Sequence, residues 1–286
     1  MNSLPKLPST GCFKEILAHV PSDERAAAGV IGSAVSVANL FTAHIDAVAV
    51  VDHLDGRFGS RDVHASAFQT IAAFEDTAGA AARALLQFEI AAQQAGLSYG
   101  KRLIADSTDT VERMLVRASR LYDISIIAQP DLATAGNAQP QAMLFDSGRP
   151  VILIPRAHRA GITLDHVGVC WDGGRSAARA LHDAMPLLEI AGCIDIIAIN
   201  EVDAYPESSA EALASHLATR RLNIHLRQPK SGQLSIYRAI MAVATESGSK
   251  LLVMGGYGHS KAGRFVLGAV TRDALKEMSI PTLMSF

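Results

Sequence analysis

Short apolar runs alternate with helix-patterned segments along the whole chain, and the series runs through twice. Runs of four to eight apolar residues separated by helical periodicity are the mark of βαβ units and a mainly parallel sheet. In the second half, HVGVCW (166–171) reads as a buried strand, followed by the turn Asp172-Gly-Gly-Arg and a helix. On that helix Ala177, Ala178, Leu181, Ala184, Met185 and Leu188 recur at spacings of three and four. Pro186 is expected to kink or shorten it. Strands are expected at IDIIAIN (194–200), NIHLRQ (223–228), KLLVMGG (250–256) and PTLMSF (281–286). Between them lie a helix from Glu207 to Arg221, a helix capped by Ser231 and carrying Ile236, Ile240, Val243 and Ala244, and a short helix near 270–278.

The first half repeats the order. Strands are expected at EILAHV (15–20), IDAVAVVD (45–52), LSYGKRLIA (97–105), DISIIAQ (123–129) and RPVILIPR (149–156). Helices are expected over Ala27–Leu40, 66–95 and Asp109–Leu121. The starts correspond (FKEILAHVP beside DHVGVCWD), and so do the ends (SGRPVILI beside SIPTLMSF). This is an internal duplication. The reading is two tandem Rossmann-like α/β domains, 1–156 and 165–286, each a mainly parallel five-stranded sheet flanked by helices. A polar connector, AHRAGITLD (157–165), joins them. A length of 286 residues suits two domains.

Composition excludes several classes. A net charge of −2 gives no global drive toward nucleic acid or an anionic membrane. Cys12, Cys170 and Cys193 match no zinc or redox spacing, and three unpatterned thiols fit a reducing cytoplasm. No apolar run reaches the ~18 residues of a membrane helix. The N-terminus, MNSLPKLPSTGCFK, has no apolar core of an export signal. The histidines show neither H-x-H nor H-E-x-x-H spacing, so no metal site is expected.

The informative segment is MGGYGHSKAGRFVLGAVTRDALKEM (254–278). A buried strand ends, glycines follow, and a helix begins. Glycines let backbone approach an anion closely, and N–H groups at a helix start point at it. A Walker A loop, a G-x-G-x-x-G fingerprint after the first strand and a G-x-S-x-G elbow are all absent.

Gly255, two residues, Gly258, nine residues and Gly268 resemble the G-x2-G-x9-G signature of the universal stress protein family, where it wraps ATP phosphates. VCWDGGRSAARALHDAMPLL (169–188) is similar to that family's first strand and helix, and GGYGHSKAGRFVLGAVTRDAL to tandem bacterial members. The resemblance implies one nucleotide site in the second half, binding ATP or a related adenine nucleotide, with Mg. Trp171, Asp172 and Gly173 would line the first strand's end, and Ile199 would back the adenine. Gly255 and Gly258 would shape the loop. Gly268, Ala269, Val270 and Thr271 would present backbone N–H groups, with the Thr271 hydroxyl as a further donor. His259, Ser260 and Arg264 would add polar or cationic contacts. Other readings stand beside these. Asp172 can cap its helix, Trp171 can be core, His259 can face solvent, and Arg264 can pair with an acid.

Two departures from the family pattern bear on function. The Ser/Thr after the third glycine is Ala269 here, which removes a hydroxyl donor worth about 1–2 kcal/mol to a charged acceptor. In the first half, Pro21 falls where Asp172 falls, and PDLATAGNAQPQAMLF holds a single glycine, Gly136. The resemblance therefore implies a stress-response regulator with at most slow ATP hydrolysis, the alternative being a non-binding interaction protein of the same fold. It also implies pairing of VILIP (151–155) with PTLMSF within the chain, and a homodimer.

Overall fold

The structure is a computed structural model describing residues 12–53, 63–130, 138–199, 206–256, 258–261 and 264–286. The N-terminal eleven residues and Gly136 lie outside the described residues.

The first half runs β1 (Glu15–His19), α1 (Glu24–Phe41), β2 (His44–His53), α2 (Val63–Gln94), β3 (Tyr99–Ser107), α3 (Thr108–Ser119), β4 (Ile124–Ala128), α4 (Ala138–Asp146) and β5 (Val151–Ile154). The second runs β6 (Val167–Cys170), α5 (Arg175–Leu188), β7 (Ile194–Ile197), a 3-10 turn (Pro206–Ser208) and α6 (Ala210–Ala218). It continues with β8 (Ile224–Arg227), α7 (Ile236–Glu246), β9 (Leu251–Gly255), β10 (Gly258–Lys261), β11 (Arg264–Leu267), α8 (Ala269–Glu277) and β12 (Thr282–Ser285). The expected α/β class and strand order hold. No helix among the described residues is long and apolar enough to cross a membrane.

The chain divides into two compact units. One comprises Phe13–Arg149 with Ile154–Gly161, the other Pro150–Leu153 with Ile162–Phe286. In the first unit the strands are ordered β3-β2-β1-β4, and β1 is parallel to both of its neighbours. In the second they are ordered β5-β12-β9-β6-β7-β8. All neighbours there are parallel except β5 and β12, which run antiparallel with Leu153 opposite Thr282 and Val151 opposite Met284. VILI and TLMS are buried at every position, as befits sheet interior covered on both faces. In both units the strand order reverses beside the first strand, between β1 and β4 and between β6 and β9. Such reversals open a crevice beyond the C-terminal strand ends.

Four local expectations change. On α5 the buried face is Ala177, Ala180, Ala184, Met185, Leu187 and Leu188, so Ala178 points outward instead of Ala180. The helix passes through Pro186 and ends two residues later, because a proline in the last turn removes only one hydrogen bond. Ser231 opens a turn, accepting from the Leu234 N–H at 3.0 Å, and the cap of α7 is Ser235, which accepts from the Arg238 N–H. Helix α4 has no counterpart among the expected elements; its Pro140 sits in the first turn, where a missing N–H costs little.

Candidate functional site

A cleft of about 350 Å³ opens at the C-terminal ends of β6, β7 and β9, at the reversal of strand order. The volume falls within the range of small-molecule sites. Strand ends contribute Cys170, Trp171, Asp172, Ile197, Ile199, Met254 and Gly255. The start of α5 contributes Ser176 and Ala177, that of α7 Ile236 and Ile240, and that of α8 Gly268, Ala269, Val270 and Thr271. The walls are apolar at the strand ends and offer backbone at the helix starts.

Three helices begin at this cleft, and two of them, α5 and α8, have no side chain closing the first turn. Gly174 is the N-cap of α5 and Gly268 that of α8; neither has a side chain to accept a hydrogen bond from the turn, and neither first turn carries an acid. The leading N–H groups of a helix have no partner within it, and the helix dipole adds partial positive charge there. By contrast α1, α6 and α7 are closed by Asp23, Ser209 and Ser235. Helix α3 also lacks a side-chain cap, its Ser107 hydroxyl bonding Thr110 instead, so what is particular to the cleft is that two glycine-capped starts meet there.

The side chains that shape the entrance are fixed by local bonds. Trp171 donates its indole N–H to the Ser208 carbonyl at 2.8 Å and its backbone N–H to the Ile197 carbonyl at 2.9 Å. Its ring is half-buried and held at the rim. Asp172 Oδ1 accepts from the Gly174 N–H at 2.8 Å, an Asx turn that leaves the exposed carboxylate beside the start of α5. Gly173 sits at φ +69°, and a side chain there would also press on Ser208, so the turn requires glycine. Gly255 meets a different demand. A Cβ there would lie 2.5 Å from the Ala177 nitrogen and from the Ser176 carbonyl carbon. Its bareness lets α5 begin against the end of β9.

Cys170 stands at the cleft floor. Burial, with the Asp172 charge beside it, pushes its thiol up to about 12, so it stays protonated at neutral pH. Thr271 is buried in the first turn of α8 at 1% exposure.

Of the residues nominated from sequence, the cleft brings together Trp171, Asp172, Ile199, Gly255, Gly268, Ala269, Val270 and Thr271. Gly173 lies in the turn behind Asp172. Gly258 opens β10, which pairs antiparallel with β11, so the stretch between the second and third glycines is a hairpin where an open loop is the sequence expectation. Lys261 pairs with Arg264 in this hairpin. The side chains of His259, Ser260 and Arg264 lie outside the described part of the hairpin. Sequence reasoning missed Cys170, Ser176, Ala177, Ile197, Ile236, Ile240 and Met254. Cys170 and Ile197 end their strands, Met254 is next to last in β9, Ser176, Ala177 and Ile236 lie in first helical turns, and Ile240 lies one turn into α7; strand-end geometry alone would have nominated most of them.

Solved structures match the chain over nearly its full length. A universal stress protein from Archaeoglobus fulgidus DSM 4304 superposes with a TM-score of 0.66 at 17% identity, covering 94% of this chain and 97% of that one. The fold is that of the universal stress proteins. A putative universal stress protein from Pseudomonas aeruginosa UCBPP-PA14 matches with a TM-score of 0.55 at 14% identity, over 96% of this chain and 93% of its own. A functionally unknown protein from Pseudomonas aeruginosa PAO1 matches with a TM-score of 0.55 at 13% identity, over 96% and 92%. No family model matches the sequence, and no curated protein matches it. At such identities the universal stress protein fold is shared while individual side chains are not, so the site rests on the residues of this chain.

Proposed function

We propose that the second half of the chain binds an adenine nucleotide, ATP or a close relative together with Mg2+, and acts as a sensor or regulator in the manner of a stress protein rather than as an enzyme. The observation that carries this reading is the convergence of two open helix starts, at Gly174 and Gly268, on an apolar-walled cleft. Phosphate groups would lie against the first turns of α5 and α8, where leading N–H groups and the helix dipoles favour an anion. The base would lie against Ile199 and neighbouring strand-end side chains. Ala269 provides no hydroxyl, so the backbone carries the phosphate contacts. Among the described lining residues the cleft is walled by apolar side chains and helix-start backbone, with Asp172 its one acidic group and the Cys170 thiol protonated, which suits holding a nucleotide.

Calorimetric titration of the folded chain with MgATP, repeated with ADP, AMP and cyclic AMP, tests the reading. Saturable binding of one adenine nucleotide per chain is expected. A folded chain that takes up none of the four would leave the interaction-protein alternative.

A further inference from the structure

Asp195, the second residue of β7, is a fully buried carboxylate inside a sheet, a costly placement unless its neighbours compensate it. Its neighbours are unusual. The parallel register sets Asp195 beside Gly168 of β6 and His225 of β8. Side chains two apart on a strand share a face, so Cys193, Asp195, His225, Arg227 and His166 (two before Gly168) project together. All but Arg227, the last residue of β8, do so at or just before the N-terminal strand ends.

His166 Nε2 lies 3.0 Å from Asp195 Oδ2, Cys193 Sγ lies 3.4 Å from His225 Nδ1, and His225 Nδ1 lies 3.5 Å from Asp195 Oδ1. The ligating atoms of His166, Cys193 and Asp195 all fall within 4.8 Å of one another. His166 Nε2 and Asp195 Oδ2 are buried and face each other as a close pair, and neither makes a hydrogen bond of good geometry among the described residues. Ligand bonds of about 2.0–2.3 Å around a tetrahedral ion put ligand atoms about 3.3–3.8 Å apart, close to these separations.

We infer that His166, Cys193 and Asp195 form a site for a divalent transition metal ion of the zinc class, with His225 beside it against Cys193 and Asp195. An imidazole, a thiolate and a carboxylate suit zinc, whereas magnesium and calcium prefer oxygen shells. Arg227 Nε approaches Asp195 Oδ1 at 3.4 Å, which leaves Oδ2 and His166 to the ion. A nucleophilic Cys–His–Asp relay does not fit. Thiol and carboxylate address the same imidazole nitrogen, and a relay needs the two nitrogens in series.

The first half supplies an internal control. Asp46 holds the same place in IDAVAVVD as Asp195 in IDIIAIN. There the Tyr122 hydroxyl donates to Asp46 Oδ2 at 2.5 Å, and His44 stands in the place of Cys193. That carboxylate is satisfied without an ion.

The test uses the full, tag-free chain, treated with a chelator and titrated with Co2+ while its absorption is recorded, then with Zn2+. The expected result is one Co2+ per chain with intense tetrahedral bands and a thiolate-to-metal charge-transfer band, all erased by Zn2+. Cys193→Ser should lose the charge-transfer band. His225→Ala, a change at a half-exposed position that spares the core, should weaken Co2+ by more than about tenfold, since even outer partners of a metal are worth that much. Cys12→Ser should change neither. Absence of these bands in the native chain, or bands that persist unchanged in Cys193→Ser and His225→Ala, would overturn the inference.

Discussion

The helix after the first strand begins differently in the two halves. In the first, Asp23 closes α1, its carboxylate accepting from the Ala26 N–H at 2.8 Å. In the second, the corresponding position is Gly174, and α5 starts with no side-chain cap. Two residues earlier the first half has Pro21 and the second Asp172. The same scaffold is thus finished in two ways. Where a carboxylate of the chain occupies the helix start, an incoming anion meets both a filled donor and a like charge. Where glycine stands, no side chain caps the first turn, and the nearby Asp172 carboxylate bonds only the Gly174 N–H. The strand ends differ in parallel: His19 in the first half corresponds to Cys170 in the second. Burial drives His19 down to about 4 and Cys170 up to about 12, so both stay neutral at pH 7.

The largest expected effect comes from the close approach unique to the second half. Gly255→Ala places a methyl against the backbone of Ser176 and Ala177 and should cost about 3 kcal/mol, the upper end for overpacking. It should also push α5 out of line with the cleft. Urea denaturation and nucleotide titration of the same variant check both effects; unchanged stability would mean that the α5–β9 contact is looser than described.

The next effect belongs to the first half and sharpens the contrast at the strand ends. Unfolded histidine titrates at 6.5, while folded His19 titrates at about 4. Between those values the unfolded chain holds the extra proton, so stability is full above about pH 6.5 and is lost as pH falls toward 4. From about pH 7 to pH 5 the loss should be about 2 kcal/mol. Burial of His158 depresses its pKa too, so its contribution has the same sign. His19→Gln should flatten most of the slope in urea midpoints measured across that range; an unaltered slope would place the titrating group elsewhere.

Smallest is the cap itself. Asp23→Ala should lower stability by about 1 kcal/mol, the usual worth of an N-cap. A loss below detection would mean that the carboxylate plays no part in closing α1.

Most of the scaffold was legible because buried parallel strands write themselves as apolar runs. ISIIA, VILI and LLVMG could scarcely be anything else. Caps were less legible, since Ser231 and Ser235 are chemically alike and only the turn between them decides. Helix α4 hid behind Pro140, which reads as a breaker unless its place in the first turn is known. Strand-end glycines and Asp172 pointed to the cleft, but its apolar wall came from residues whose patterns announced only core. The His166–Cys193–Asp195–His225 cluster was invisible to spacing because its members arrive on three different strands.

The account's central claim is that an open helix start makes the second half a nucleotide site and a filled one closes the first. Titration with MgATP of the native chain, Gly174→Asp, Gly174→Asn and Asp23→Ala tests it most directly. Native chain and Asp23→Ala should bind one nucleotide with equal affinity. Gly174→Asp should weaken binding by more than about tenfold, or 1.4 kcal/mol, with the uncharged Gly174→Asn falling between. Gly174→Asp binding as tightly as the native chain, or Asp23→Ala gaining a second site of its own and losing the first, would contradict it.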